Sequence, residues 1–386
     1  MRNFDVIFKK SHPKVRKTLN KLQQKEYKYP FNPELSKNWS DKIKFSKKII
    51  SKLLSIPDSY KLVFTYSTSD SIDRLIRGFL SSDKIEKFLL TTWEHDAILS
   101  PANGLIGIYK LPIHLIPLEL NDNKESILSK FYSIKKKKKG KIIAIISHIT
   151  YNYGCILPIK ELIKLLKDKF GDDVFVIIDG AHAFFQLDID IKKLNPDAYV
   201  FDMYKWAWGE GGQGVCVFKK KFWNIVKDNF STIFGDFSTS VFNQRAKNFY
   251  YKQNIISWSW NPNYLNWVAN SEILKDYENN YKKVLMTDKK LAYLFLENLK
   301  GIQNLNLLLP YKYKSIVSIQ STNTNLFYKF LLKKGISAHL ISQREFIKPY
   351  KIKYPSAVRF CFNSLYLQKK DIEELIKTLS NYNKRV

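Results

Sequence analysis

Two stretches of this chain bring an acid, an imidazole and a lysine to the ends of apolar runs, a pattern suited to covalent chemistry on an amine. VFVIIDGAHAFF places Asp179 and His182 after a run with the length and β-branching of a buried strand. AYVFDMYKWAWGEGGQG places Tyr204 and Lys205 after the next such run, followed by a glycine-rich bend. A third stretch, FTYSTSDS, sets Thr68 and Ser69 where a strand feeds an amphipathic helix, a natural phosphate site. Together they fit the binding logic of pyridoxal phosphate (PLP). That cofactor needs a lysine for its Schiff base, a carboxylate opposite its pyridine nitrogen and a cradle for its phosphate. Each group also has a plainer reading. Asp179 could cap a helix, although an unpaired carboxylate is costly to bury after so apolar a run. Thr68 and Ser69 could cap a helix without any ligand. His182 could be a satisfied core histidine. Lys205 could be one more surface lysine, but YKW before a glycine bend makes a poor solvated face.

These residues resemble the class V aminotransferase family of fold-type I PLP-dependent enzymes. The matching segments are FTYSTSDS (64–71), EH (94–95), SHITYNYGCILPIKEL (147–162), DGAHA (179–183), Asp197 with Tyr199, YKW (204–206), GGQG (211–214) and VRFCFN (358–363). They stand in the family's order and cover residues 60–365. The resemblance implies that Lys205 forms the Schiff base and that Asp179 pairs with the pyridine nitrogen. It further implies that His182 reaches the phenolic oxygen and His95 stacks on the ring. Thr68, Ser69 and Tyr204 would hold the phosphate, and Thr150 would offer its hydroxyl near the ring. Asn261 would reach the phosphate of a partner subunit in a homodimer. Arg359 would hold a substrate α-carboxylate; in a chain that uses lysine almost everywhere, an arginine suggests a need for its planar fork. Its structural alternative is a buried salt bridge. A desolvated Lys205 beside a cationic ring would have a lowered pKa, suited to nucleophilic and general-base work. The implied activity is on an amino acid or other amine. Transamination is the default, and epimerisation and lyase chemistry are the alternatives.

Four departures from the family pattern stand out. GISAHLISQREFIKPY (335–350) lacks the cysteine that cysteine desulfurases carry before the substrate arginine, which argues against persulfide transfer. The form DGAHA, with His182, is nearer the isopenicillin N epimerase and kynureninase branches. Asp202 stands where relatives often present a small hydroxyl residue to the phosphate; an acid there would repel it, point away or pair with a lysine. Ser67 replaces a turn glycine, and Tyr151 displaces the asparagine of the SHxSN motif to Asn152.

The elements that must position these groups alternate. Strand-like runs KLVFTY, FLLTT, KIIAIISHI, VFVIID, AYVFDMY and GVCVFK are interleaved with helical patterns, which predicts an α/β fold with a mostly parallel central sheet flanked by helices. A long helix begins near Pro262, and from Thr287 the texture predicts a smaller α+β unit. The expected division is an N-terminal segment (1–40) packing with the small domain, a large cofactor-binding domain (41–285) and a small C-terminal domain (286–386). With 386 residues and 45% hydrophobic content, the chain can bury a large core, which excludes global disorder. The formal charge of +29 invites a nucleic-acid reading. Only eight of the 64 basic residues are arginines, and Asn, Ile, Tyr and Phe are abundant too, so the charge looks like AT-rich coding spread over the surface. The run Lys135–Lys139 reads as a solvated loop. A basic binding protein that kept the fold without chemistry, and an enzyme for a carrier-bound amine, are the competing readings. No signal-like or bilayer-length apolar run is present, so a cytoplasmic location with no membrane partner is expected.

Overall fold

The computed structural model describes residues 2–5, 11–28, 33–96, 98–99, 104, 111–136, 139–226, 264–299, 302, 304–346 and 352–383. Asn261, the loop-rich stretch 230–255 and part of the lysine run lie outside the described residues. The chain opens with β1 (Arg2–Asn3), α1 (Pro13–Lys28) and α2 (Pro33–Leu53). A large sheet follows from β2 (Tyr60–Thr65), β3 (Ile85–Thr91), β4 (Ile113–Ile116), β5 (Lys141–Ser147), β6 (Val174–Asp179), β7 (Ala198–Asp202) and β8 (Gly214–Lys219). Helices α3 (Thr68–Ser82), α4 (Lys124–Tyr132), α5 (Ile159–Phe170) and α6 (Ile191–Leu194) lie in its connections. The long α7 (Tyr264–Leu299) leads to β9 (Leu305–Leu308), β10 (Ile316–Ser321), α8 (Thr324–Lys333), β11 (Ile336–Ser337), β12 (His339–Ile341), β13 (Arg344–Phe346), β14 (Ile352–Tyr354), β15 (Ala357–Cys361) and α9 (Lys369–Asn383).

Among the described residues the large sheet runs in the order β2-β8-β7-β6-β5-β3-β4. All its pairings are parallel except those of β8, which is antiparallel to both β2 and β7. The short glycine-rich bend between β7 and β8 holds no crossover helix, so the chain can only turn back. Its consequence is functional. β2, β3, β5, β6 and β7 all end at one edge, where open α/β sheets place their ligands.

β5 and β6 are buried on both faces. Ile142, Ala144 and Ile146 face one core with Val176 and Ile178, and the alternate residues Ile143, Ile145, Phe175 and Ile177 face another. α5 covers the first face through Leu162 and Leu166, and α3 covers the second through Ile72, Ile76 and Phe79. The near-continuous apolar runs of the sequence follow from this two-sided burial.

α7 is one helix of 36 residues and runs through the change of texture at Thr287. Nothing between Lys283 and Lys289 breaks a helix, since neither proline nor glycine occurs there. The change of texture marks a passage between cores instead. Leu265 to Leu285 pack in the large core, and Leu291 to Leu299 pack in the small one. The first forty residues divide likewise: β1 pairs with β11 and Phe4 enters the small core, whereas Val15 and Leu19 of α1 join the large core. Among the described residues no helix is long and apolar enough to cross a membrane.

Candidate active site

The shared edge of β2, β3, β5, β6 and β7 encloses a cavity of about 140 Å³. Thr68, Ser69, His95, Asp179, His182, Tyr204 and Lys205 all stand in its wall, brought there from four separate strand ends. Two glycines permit the close packing behind it. A Cβ on Gly180 would lie 2.2 Å from the Tyr199 ring, so the turn after β6 rests directly on β7. A Cβ on Gly214 would lie 2.4 Å from Thr65 Oγ1, so only glycine lets β8 start against the turn into α3.

One half of the cavity is lined by Asp179, His182 and His95. Asp179 accepts the N–H of Ala181 at 2.8 Å through Oδ1. Burial pushes its carboxyl up to about 6, and nearby Lys205 restrains the rise. Trp206 Nε1 donates to His182 Nδ1 at 3.2 Å. Burial and Lys205 hold this imidazole well below its ordinary pKa, so it is neutral. With Nδ1 accepting, the proton must sit on Nε2, a buried atom that makes no hydrogen bond to the described residues. His95 is likewise held neutral, at about 3, by burial and by Lys205. Its ring meets Tyr151 edge-on at 4.4 Å.

Sequence reasoning passed over what fixes His95. Glu94 is fully buried, and it accepts from Thr91 Oγ1 at 2.8 Å and from the Ser147 N–H at 3.1 Å. The Ser147 hydroxyl donates to it as well. The end of β3 is thereby tied to the end of β5. The only sequence signal was an acid beside the histidine in EH.

The other half surrounds the N-terminus of α3. Ser67 caps this helix in extended conformation, accepting the Asp70 N–H at 3.1 Å. The turn therefore needs no glycine at Ser67, and the capping role falls to Ser67 rather than to Thr68 or Ser69. Thr68 Oγ1 is buried and makes no hydrogen bond to the described residues. The Thr68 N–H donates to Asp202 Oδ1 at 2.7 Å. Asp202 Oδ2 lies 3.1 Å from Lys205 Nζ. Burial disfavours the charged lysine, but Asp202, Tyr204 and Asp179 outweigh it and hold Lys205 above its ordinary range. Among the charges around Lys205, the carboxylate three residues away acts most strongly. Tyr204 is pushed up to about 12 by burial and by Asp202, and so stays protonated.

Two expected site residues stand outside the cavity wall. Thr150 is fully buried and its hydroxyl accepts the Cys155 N–H at 3.0 Å, closing a turn. Arg359 is also fully buried. Its Nη1 donates to the Tyr151 carbonyl at 2.8 Å, its Nη2 lies 3.4 Å from Asp5 Oδ1, and its guanidinium sits 4.7 Å from the centre of the Tyr151 ring. Tyr151 itself lines the cavity. Asp197 serves the scaffold: it accepts the Val176 N–H at 2.9 Å and pairs with Lys167 and Lys219. All three cysteines of the chain, Cys155, Cys216 and Cys361, are buried, and burial pushes the Cys155 thiol up to about 12.

A family model described as Aminotransferase class-V matches residues 12–375. A cysteine desulfurase of Wigglesworthia glossinidia brevipalpis is 30% identical over 189 residues, 48% of this chain and 44% of that one. An L-cysteine desulfhydrase of Arabidopsis thaliana is 36% identical over 95 residues, 24% of this chain and 20% of that one. The chain thus spans less than half the length of either relative. Neither carries the name of the epimerase or kynureninase branches that DGAHA suggests. Among solved structures, the cystine C-S lyase C-DES, in complex with its product cysteine persulfide, superposes with a TM-score of 0.78 at 15% identity, covering 96% of this chain and 94% of that one. A mutant of C-DES with glycine covalently linked to its PLP cofactor gives a TM-score of 0.79. These likenesses establish the α/β fold with a mostly parallel central sheet.

Proposed function

This chain belongs to the class-V aminotransferase family, and on that premise we propose that it is a PLP-dependent enzyme cleaving a carbon–sulfur bond of an amino acid by elimination. The observation that carries the cofactor is the convergence of Asp179, His182 and Lys205 on one cavity. Two buried polar atoms in its wall, His182 Nε2 and Thr68 Oγ1, make no hydrogen bond to the described residues and suit a polar ring and its phosphate. When bound, the cofactor supplies an electron sink that weakens the bonds at the α-carbon of an amino acid.

The chain's own residues do the rest. Asp179, its carboxyl pushed up to about 6, is mostly ionised at neutral pH and would keep a proton on the pyridine nitrogen. His182 would offer its Nε2 N–H to an oxygen on the cofactor ring. His95, neutral and braced by Tyr151, would cover one face of that ring. Lys205, whose amine lies in the cavity wall, would hold the cofactor and serve as the base toward the α-proton. An elimination of this kind would release the sulfur as a thiolate or persulfide. Buried cysteines favour this over relay through a protein thiol. The relatives named desulfurase and desulfhydrase and the neighbour named C-S lyase support sulfur chemistry. Transamination, the expectation from the sequence, is the second reading, since it begins with the same proton transfer.

The test is spectral and chemical. The PLP-loaded protein should show visible absorbance that is lost in Lys205→Ala. Incubation with L-cysteine or cystine should then release sulfide or persulfide together with pyruvate and ammonia. A lysine-free variant with the same spectrum would refute the assignment. Oxo-acid formation without sulfur release, with the amino group left on the cofactor, would select transamination.

A further inference from the structure

Asp202 is the last residue of β7, and its side chain is 1% exposed. One oxygen accepts the N–H of Thr68, the first residue of α3, at 2.7 Å. The other lies 3.1 Å from Lys205 Nζ. A single carboxylate therefore bridges the two groups that a phosphorylated aldehyde has to engage, the helix N-terminus and the amine. α3 is fifteen residues long, and its first-turn N–H groups favour an anion. Thr68 is 4% exposed, and its hydroxyl, in the same cavity wall, makes no hydrogen bond to the described residues. The position is thus an anion site with a donor to spare, half satisfied from within the chain.

Building on the PLP reading above, we propose that Asp202 is an internal anion standing at the phosphate position of the cradle, and that cofactor capture requires breaking its bridge from Thr68 to Lys205. A phosphate brought to the same N–H meets a fixed negative charge at close range, in a site with little water to screen it. Lys205 must leave the same carboxylate before its amine can attack an aldehyde. Asp202 accordingly weakens cofactor binding and makes the phosphate a smaller asset than it would be in a cradle lined by hydroxyls. It acts as a positioning residue, through Lys205 and the helix N-terminus.

The prediction separates phosphate from aldehyde. Cofactor-stripped wild type, Asp202→Asn and Asp202→Ser are titrated with PLP and with pyridoxal, following absorbance, and with inorganic phosphate as competitor. Both variants should gain about ten-fold or more in affinity for PLP beyond their gain for pyridoxal, a difference of about 1.4 kcal/mol, because pyridoxal registers only the release of Lys205. Inorganic phosphate should compete at lower concentration in the variants. Unchanged or weaker PLP binding in two variants with native circular dichroism would overturn the inference. Equal gains for PLP and pyridoxal would overturn it too, since Asp202 would then act on the amine alone. Absence of any PLP chromophore in the wild type would instead defeat the cofactor reading on which the inference rests.

Discussion

At Asp179 burial and charge pull in opposite directions. Loss of water raises its carboxyl to about 6, while Lys205 and the Ala181 N–H stabilise the anion. The balance leaves a carboxylate at neutral pH, which is what a protonated pyridine nitrogen needs opposite it. Asp179→Asn should retain the visible band, because Lys205 is untouched, and lose about 10²- to 10³-fold in turnover, the scale of a lost electrostatic partner. Absorbance together with steady-state rates checks it; turnover within a few-fold of wild type would remove Asp179 from the chemistry. Residue types and turn positions made Asp179, His182 and Lys205 legible in the sequence, since each follows a recognisable apolar run. The partner of Lys205 was less legible. Asp202 stood out as an unexpected acid, but only the fold shows it bonded to both Thr68 and Lys205.

Among the elements, the ends of β3 and β5 are held together by Glu94. Burial pushes its carboxyl up to about 7, against the hydrogen bonds from Ser147 and Thr91 that favour the anion. An acid with a raised folded pKa keeps its proton in the fold at pH values where the unfolded chain has lost it. Its contribution to stability is therefore largest at low pH and is lost as pH climbs from about 4.5 through about 7. Glu94→Gln removes that dependence. In urea denaturation at pH 5 and pH 8, wild type should lose about 2–3 kcal/mol more than the variant on raising the pH. Parallel losses in the two proteins would show that Glu94 does not titrate in this window. The strands themselves were legible, because two-sided burial leaves continuous apolar runs. The reversed direction of β8 was not, since an apolar run carries no sign of its partner's direction.

At the scale of the molecule, the first described residues share the small core with the C-terminal elements. Phe4 is fully buried in the small core, and β1 pairs with β11. Phe4→Ala should cost about 3–5 kcal/mol, read as a lowered denaturation midpoint; a loss below about 1 kcal/mol would show that the N-terminus is only loosely attached. Asp5, next in the chain, pairs with both Arg359 and His339, so the same N-terminal segment also engages the one arginine singled out for a substrate carboxylate. By itself the sequence determined the kinds of residue at each strand end and the α/β class, because periodicity, turns and composition are local properties. Tertiary structure decided which charges meet. Thr68 and Asp202 are 134 positions apart, and Asp5 and Arg359 are 354 apart. Only strand order brings such residues within hydrogen-bond reach, and once they are buried there, loss of water makes each pairing dominate its neighbours.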